Sequence, residues 1–348
     1  MSTDHNTVDL EKVVIKFAGD SGDGMQLTGT QFTDTSALLG NDLATFPDYP
    51  AEIRAPIGTV AGVSGFQVHI GKVEINTPGD IADVLVAMNP AALKANKRWI
   101  KDGGTIIVNS DAFSKKDLDK AGYEVNPLED DTFSAYNIVS APITTLTRET
   151  LSDSGLDGKS VARAKNMFAL GMVYWIFNRP MEQTENFLKD KFAKKPLVVK
   201  SNIKVMHAGY NFADTIEALP SSYTISKAEI ESGTYKNVMG NQATAWGFIA
   251  AAEKAGKELF LGSYPITPAT DILHELAKHK NLGVKTFQAE DEIAGICSAI
   301  GASFAGSLAI TTTSGPGLAL KGEALGLAMI AELPLVVVDV QRGGPSTG

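Results

Sequence analysis

Three consecutive acidic residues, Glu290, Asp291 and Glu292, stand between a short apolar strand and a long apolar helix. After Glu292 no charged residue occurs until Lys321. A carboxyl group beside so apolar a segment can be kept protonated or strongly hydrogen-bonded, which suits it to holding a nitrogen atom of a bound cofactor in a dry pocket. Asp291 and Glu292 are also explained by the first turn of the helix, where negative charge complements the helix dipole.

Three further loops carry side chains or turns that could bind a ligand. In YPITPAT the hydroxyl group of Thr267 stands between two prolines that restrict the backbone, so it could fix a carboxylate. Capping of the helix that begins near Thr270 is the favoured alternative for this hydroxyl. In QRGGPSTG, Arg342 offers a planar, permanently charged group that suits a carboxylate-bearing substrate. The turn TTTSGPG, residues 311–317, would allow close approach of a ligand or a tight entry into the next helix.

The helix after Glu290 is expected to bury one apolar stripe. Helical spacing puts five residues on this stripe, namely Ile293, Ile296, Cys297, Ile300 and Phe304. Cys297 is therefore predicted to be a buried apolar residue and not a nucleophile. As the single cysteine, it also excludes an intrachain disulfide and a four-cysteine zinc or iron–sulfur site built by this chain alone.

The elements that position these loops alternate between strand and helix in both halves of the chain. In the first half the strand VVIKFA leads into GDSGDG and then a helix. This pattern departs from the dinucleotide fingerprint G-x-G-x-x-G, and its aspartates, Asp20 and Asp23, would repel a phosphate. A tight strand-to-helix turn is the favoured interpretation, with phosphate binding as the alternative.

Repeated strand–helix–strand units predict open, largely parallel sheets of the doubly wound α/β class. Residues 45–59 are predicted to be a structured surface loop because they contain three prolines and a glycine. Two domains are expected, at residues 1–219 and 239–348. They are joined by a linker at 220–238 that is rich in turn-forming residues.

Composition excludes several classes of protein. The 348 residues are 44% hydrophobic and 20% charged, as in an ordinary globular protein, and the formal net charge is −9. Nucleic acid is therefore an unlikely partner. The uncharged span is interrupted by glycine, serine and proline, which argues against a membrane helix, and the polar start has no secretion signal. A cytoplasmic setting is expected.

Five motifs, in order, resemble the pyrimidine-binding domain of the alpha subunit of the 2-oxoacid:ferredoxin oxidoreductases. They are GNQATAWG, YPITPAT, FQAEDEIAGICSAIGASFAG, TTTSGPG and QRGGPSTG. The segment VVIKFAGDSGDG resembles the gamma domain that some of these subunits carry at the N-terminus. The resemblance implies a Rossmann-like gamma domain followed by a thiamine-diphosphate-enzyme pyrimidine-binding domain.

The resemblance also implies roles for particular residues. Glu290 matches the glutamate that hydrogen-bonds a pyrimidine nitrogen of thiamine diphosphate and favours the imino tautomer, whose exocyclic nitrogen removes the thiazolium proton. Tyr264 and Pro265 would contact the same cofactor, while Thr267 and Arg342 would bind the 2-oxoacid carboxylate. No metal ligand is expected in this chain.

A beta-type partner subunit would supply the diphosphate site, Mg²⁺ and an iron–sulfur cluster. Ferredoxin would accept electrons, coenzyme A would accept the acyl group, and the assembly would be a heterodimer or a dimer of heterodimers. The implied reaction is conversion of 2-oxoglutarate to succinyl-CoA. Pyruvate or another 2-oxoacid, or a non-catalytic scaffold subunit, remain alternatives, whereas a nicotinamide dehydrogenase is disfavoured. Because related subunits continue beyond QRGGPSTG, a fragment, processed chain or split subunit is expected, active only with a partner.

Overall fold

The computed structural model describes residues 7–20, 22–49 and 62–341. The chain divides into two compact units, residues 1–234 and 235–348. The division falls inside the stretch 220–238, the linker expected from the sequence. None of the helices in the described ranges combines the length and the apolar character needed to span a lipid bilayer.

The described residues of the first unit form eight strands and eight α-helices. The strands are β1 Thr7–Asp9, β2 Lys12–Asp20, β3 Asp42–Asp48, β4 Val63–Gly71, β5 Ala82–Ala87, β6 Ile100–Asn109, β7 Asn137–Ala141 and β8 Ser222–Thr224. The helices are α1 Met25–Leu38, α2 Pro90–Asn96, α3 Lys115–Ala121, α4 Ile143–Thr150, α5 Gly158–Arg163, α6 Lys165–Ile176, α7 Glu182–Lys191 and α8 Pro196–Thr215. Short 3₁₀ turns occupy Lys97–Trp99, Ser110–Ala112 and Asp131–Phe133.

Six of these strands form one mixed sheet in the order β3-β4-β2-β5-β6-β7, and β1 pairs separately with β8. The strands β2, β5, β6 and β7 are parallel to one another. Strand β4 runs antiparallel to both of its neighbours, β2 and β3. The expected α/β class is confirmed, but the strand β3 was not predicted. It begins before the predicted loop 45–59 and includes its first residues, while residues 50–59 of that loop lie outside the described ranges.

Helices cover both faces of this sheet, as the burial of side chains on both sides of β5 shows. Its sequence ADVLVA contains apolar residues at successive positions, so each face receives alternate side chains. Val84 and Val86 pack in the larger core with α6, whereas Leu85 and Ala87 pack in a second core with α2. A doubly covered sheet is the result.

Helices α6 and α8 pack against each other through Gly171 of α6 and Gly209 of α8. A β-carbon at Gly171 would collide with the carbonyl oxygen of Met206, and one at Gly209 would collide with that of Phe168. Gly171 and Gly209 therefore allow the two helices to approach closely. Tyr174 and Trp175 of α6 are buried in the core.

The second unit contains a four-stranded, fully parallel sheet in the order β10-β9-β11-β12. The strands are β9 Leu259–Ser263, β10 Val284–Gln288, β11 Leu308–Thr313 and β12 Leu335–Asp339. The helices are α9 Gly240–Ala255, α10 Thr270–Leu276, α11 Glu292–Phe304, α12 Gly317–Leu320 and α13 Gly322–Ile330, with a 3₁₀ segment at Ala277–Leu282. Helices α9 and α10 pack with one core cluster, and α11 and α13 with another.

Helix α11 approaches β9 very closely. A β-carbon at Gly262 would collide with the carbonyl oxygen of Gly295 and the hydroxyl of Ser298. Gly262 therefore permits α11 to lie directly on the strand, which brings the start of α11 to the carboxyl end of the sheet.

Candidate functional site

Four loops leave the carboxyl ends of the parallel strands β9 to β12, the edge where open α/β sheets bind ligands. The loops after β9 and β10 begin side by side, because the backbone N–H of Ala289 donates to the carbonyl oxygen of Ser263 at 2.6 Å. The ends of β11 and β12 are joined in the same way by Val340 N–H and the carbonyl oxygen of Thr313, at 2.9 Å.

Glu290 lies exposed immediately after β10, an edge strand of the sheet. Its carboxylate has no hydrogen bond or ion pair with another described residue. The expected apolar pocket around Glu290 is thus not formed by the described part of this chain, because β10 has a neighbour on one side only. The carboxylate remains available to a ligand.

Asp291 and Glu292 occupy the start of α11, as predicted. The Asp291 side chain accepts a hydrogen bond from the Ala294 backbone N–H at 2.8 Å and caps the helix. Glu292 is the first helical residue. Both residues are accounted for by helix-start chemistry.

Tyr264 is buried, and its hydroxyl lies 2.9 Å from the Thr313 hydroxyl oxygen. Gly317 lies against this pair, because a β-carbon there would collide with both hydroxyl groups and would lie 3.0 Å from Cγ of Glu292. The loops after β9, β10 and β11 therefore converge around Gly317, and only glycine leaves room at this point.

Pro265 and Thr267 are exposed beyond Tyr264. Thr267 precedes a cis peptide bond to Pro268 and does not cap α10. Instead, Thr270 closes the turn, since its hydroxyl accepts from the Ile266 N–H at 2.7 Å. The favoured capping role for Thr267 is therefore wrong, and its hydroxyl is left for a ligand. Arg342 lies outside the described residues.

The predicted core stripe of α11 is only partly correct. Ile296 and Ile300 are buried, but Ile293, Cys297 and Phe304 are exposed. Helix α11 packs on the sheet through the narrower strip that contains Gly295, so the outer part of its apolar surface is not covered by the described residues. Cys297 is consequently a surface residue.

Sequence reasoning missed Lys321, which is fully buried beneath the converging loops. Burial lowers the pKa of Lys321 to about 8, while the nearby charge of Glu292 opposes the shift. The one feature of the sequence that could have pointed to Lys321 is its position as the first charged residue after the uncharged run that follows Glu292.

The residues present fit a polar heterocyclic cofactor. Among the described residues, the buried hydroxyl of Ser314, in the turn after β11, has no hydrogen-bond partner, and the carboxylate of Glu290 has no ion pair or hydrogen bond. Gly317 lets the turn after β11 pack closely against Tyr264 at the same edge of the sheet. Within the described ranges no group of three or more histidine, cysteine, aspartate or glutamate side chains is placed to hold a metal ion.

The loop after β2 in the first unit is arranged differently. Asp23 accepts the Asp20 backbone N–H at 3.0 Å and forms an ion pair with Lys165 at 2.9 Å. The Asp23 carboxylate therefore occupies a backbone donor that a phosphate would need. The tight-turn interpretation of GDSGDG is favoured over phosphate binding.

Comparison with known proteins agrees with this geometry. Residues 14–212 match the sequence model described as "Pyruvate ferredoxin/flavodoxin oxidoreductase", and residues 251–348 match "Pyruvate flavodoxin/ferredoxin oxidoreductase, thiamine diP-bdg". Two α/β units, one with polar loops gathered at the carboxyl edge of a parallel sheet, define a cofactor-binding α/β protein. The chain belongs to the pyruvate ferredoxin/flavodoxin oxidoreductase family, and its second unit carries the thiamine diphosphate-binding domain of that family.

Individual relatives narrow the resemblance. The "2-oxoglutarate oxidoreductase subunit KorA" of Mycobacterium tuberculosis is 56% identical over 339 residues, which are 97% of this chain and 52% of that protein. The "2-oxoglutarate synthase subunit KorA" of Methanocaldococcus jannaschii is 51% identical over 112 residues, 32% of this chain and 29% of that protein.

Among solved structures, "2-oxoglutarate:ferredoxin oxidoreductase from Magnetococcus marinus with 2-oxoglutarate, coenzyme A and succinyl-CoA bound" matches with a TM-score of 0.72 and 32% identity. The match covers 97% of this chain and 54% of that one. The chain thus spans about half the length of the relatives that it matches throughout. The family and fold expected from the motifs are confirmed.

Proposed function

We propose that this chain is the alpha-type part of a 2-oxoacid:ferredoxin oxidoreductase that converts 2-oxoglutarate, coenzyme A and two oxidised ferredoxins to succinyl-CoA, carbon dioxide, a proton and two reduced ferredoxins. The observation that carries the proposal is 56% identity across 97% of the chain to a 2-oxoglutarate oxidoreductase subunit. The convergence of three loops around Gly317 supports it independently.

Thiamine diphosphate, when bound, supplies the carbanion chemistry that allows a 2-oxoacid to lose carbon dioxide. Glu290 is proposed to hydrogen-bond a pyrimidine nitrogen and so hold a proton at that atom. Its carboxylate lies at the carboxyl edge of the sheet and has no partner within the described part of the chain, which supports this role. Tyr264 and Pro265, at the start of the neighbouring loop, are proposed to contact the same ring.

Thr267 and Arg342 are proposed to bind the 2-oxoacid carboxylate. The exposed Thr267 hydroxyl, which is not used as a helix cap, is consistent with that role. A guanidinium group would supply two parallel hydrogen bonds to a carboxylate, which a hydroxyl group cannot do alone.

Further polypeptide is proposed to complete the cofactor pocket, including a beta-type subunit with the diphosphate site, Mg²⁺ and an iron–sulfur cluster. Phe304 is 82% exposed, and Met329 and Ile330 at the end of α13 are 80% and 87% exposed. Apolar side chains exposed in this number on adjacent helices are typical of a surface that becomes buried in an assembly.

The experiment is the substitution Glu290→Ala in the complete enzyme, assayed by methyl-viologen reduction that depends on 2-oxoglutarate and coenzyme A. Loss of a group that controls proton transfer is expected to lower kcat about 10²-fold to 10⁴-fold. Glu258→Ala is a matched control, because Glu258 is an exposed carboxylate at the opposite end of the same sheet, paired with Lys285 at 2.7 Å.

Near-normal turnover of Glu290→Ala would remove the proposed role of Glu290. The substrate is tested separately by comparing kcat/KM for 2-oxoglutarate, pyruvate and branched-chain 2-oxoacids with the unmodified enzyme, since pocket contacts decide such ratios. A higher kcat/KM for pyruvate would contradict the proposed substrate while leaving the reaction class intact.

A further inference from the structure

Lys321 is a buried cation between α12 and α13 in the second unit. Lysine is almost never fully buried in proteins unless it is paired, because removing a charge from water costs several kcal/mol. The described residues provide Lys321 with no ion pair within 4 Å, so its burial is not explained by charge pairing.

The hydrogen bonds of Lys321 join elements that carry the candidate site. Nζ donates to the carbonyl oxygen of Glu292 at 3.0 Å and to the Thr311 hydroxyl oxygen at 2.8 Å. It also lies 5.5 Å from the centre of the Tyr264 ring, within the range of a cation–π contact. One side chain thus touches the loop after β9, the first residue of α11 and strand β11.

The bond to the Glu292 carbonyl is made two residues after Glu290, where the chain turns into α11. Asp291 fixes the same turn from the outside through its bond to Ala294. Lys321 fixes it from the inside, and Glu290, which has no bonding partner among the described residues, directly precedes the two anchored residues.

We propose that Lys321 is a positioning residue that orients Glu290 toward the pyrimidine ring of thiamine diphosphate. This inference rests on the proposed role of Glu290. Lys321 contacts neither the ring nor the reacting atoms; it holds the turn that presents the carboxylate and keeps the Tyr264 loop in register with it.

A positioning role differs from a purely structural role in what the removal of Lys321 changes. Methionine at position 321 would keep the volume but remove the buried charge, and such replacements are often neutral or stabilising. Positioning therefore predicts normal thermal stability with impaired use of the cofactor. A purely structural role predicts lower stability with a normal kcat per bound cofactor.

The test compares Lys321→Met, Glu290→Ala and the unmodified chain in the complete enzyme. Three readouts are needed: kcat per bound thiamine diphosphate, the near-ultraviolet circular dichroism band of the imino tautomer of the bound cofactor, and the thermal midpoint at pH 7. We expect Lys321→Met to lower kcat about 100-fold, the loss that a misplacement of about 1 Å can cause, and to weaken the imino band without lowering the midpoint.

Lys257→Met is the matched control. Lys257 also donates to a backbone carbonyl, that of Gly306 at 3.0 Å, but it is exposed and lies beyond the other end of α11. This variant should leave all three readouts unchanged. If Lys321→Met does not assemble, Thr311→Val removes one of the two hydrogen-bond acceptors and should weaken the imino band partially.

The inference about Lys321 would be overturned if Glu290→Ala were inactive while Lys321→Met kept a normal kcat and a normal imino band. Where Lys321→Met does not assemble, the same result in Thr311→Val would overturn it. In that case the proposed function would stand. Near-normal turnover of Glu290→Ala would instead remove the proposed role of Glu290 and the inference that depends on it.

Discussion

The turns after β2 and β10 both place acidic side chains at the carboxyl end of a strand, but they use those side chains in different ways. Asp23 accepts a backbone N–H within its own turn and is paired with Lys165. Glu290 has no partner among the described residues. The carboxylate in the first turn is part of the fold, whereas the carboxylate in the second is available for binding.

The lysines near the two turns show the same difference. Lys165 reaches the Asp23 carboxylate at 2.9 Å, so its charge is compensated by the acid. Lys321 reaches the backbone carbonyl of Glu292, which holds the second turn without engaging the Glu290 carboxylate. Both turns are held by a lysine, but only in the second turn does the lysine leave the acidic side chain accessible to a ligand.

The largest effect that would sharpen this comparison is expected from Gly317→Ala. A β-carbon at Gly317 would collide with the hydroxyl groups of Thr313 and Tyr264, so the loops of the second unit would separate. We expect kcat to fall about 100-fold through misplacement of the site. Gly247→Ala, in the exposed part of α9 with no atom near the added carbon, is the control measured in the same assay. Equal activity of the two variants would contradict the account of the converging loops.

Asp23→Asn is expected to lower stability without affecting turnover, in contrast to Gly317→Ala. Loss of the carboxylate breaks the ion pair with Lys165 and should lower the free energy of unfolding of the first unit by about 1–3 kcal/mol. The kcat per bound cofactor should not change. Chemical denaturation and steady-state turnover give the two values, and unchanged stability with impaired turnover would show that this turn binds a ligand after all.

The pH dependence of stability tests the buried charge of Lys321. Its pKa is about 8 in the folded chain and near 10.5 when exposed, so the folded state loses this proton first as pH rises. Stability therefore increases with pH between about 8 and 10.5 on account of this group.

Glu292, Asp291 and Cys297 carry or can acquire negative charge near Lys321, and Tyr264 faces it, so the comparison must be a difference between variants. Chemical denaturation from pH 7.5 to 9.5 should show a steeper rise for the unmodified enzyme than for Lys321→Met. Parallel curves would mean that Lys321 does not carry a buried charge.

The smallest effect is expected from the helix caps. Asp291→Ala removes the bond to the Ala294 N–H and should cost about 1 kcal/mol of stability. Asp157→Ala, which removes the cap of α5 in the first unit, should cost a similar amount. If Asp291→Ala were as inactive as Glu290→Ala, helix capping would not be a sufficient account of Asp291.

Periodicity and turn chemistry were enough to predict much of this molecule. The apolar strands, the doubly wound class and the acidic start of α11 follow from local sequence, because strand burial and helix-start signals depend on neighbouring residues. The position of Glu290 after a strand likewise needed only the order of elements. Its motif context then supplied the family.

Long-range packing accounts for the features that local patterns did not predict. The direction of β4 and the pairing of β3 depend on residues distant in sequence. Exposure of Cys297 reflects the narrow contact of α11 with β9 at Gly262. Lys321 was missed because lysine is normally a surface residue, and no local pattern distinguishes a buried one.

The most direct measurement of the central claim is the imino circular dichroism band in Glu290→Gln and Asp23→Asn, each in the complete enzyme with saturating thiamine diphosphate. If Glu290 is the acid reserved for the cofactor and Asp23 belongs to the fold, the band should be lost in Glu290→Gln and retained in Asp23→Asn. A band of full intensity in Glu290→Gln would contradict the account.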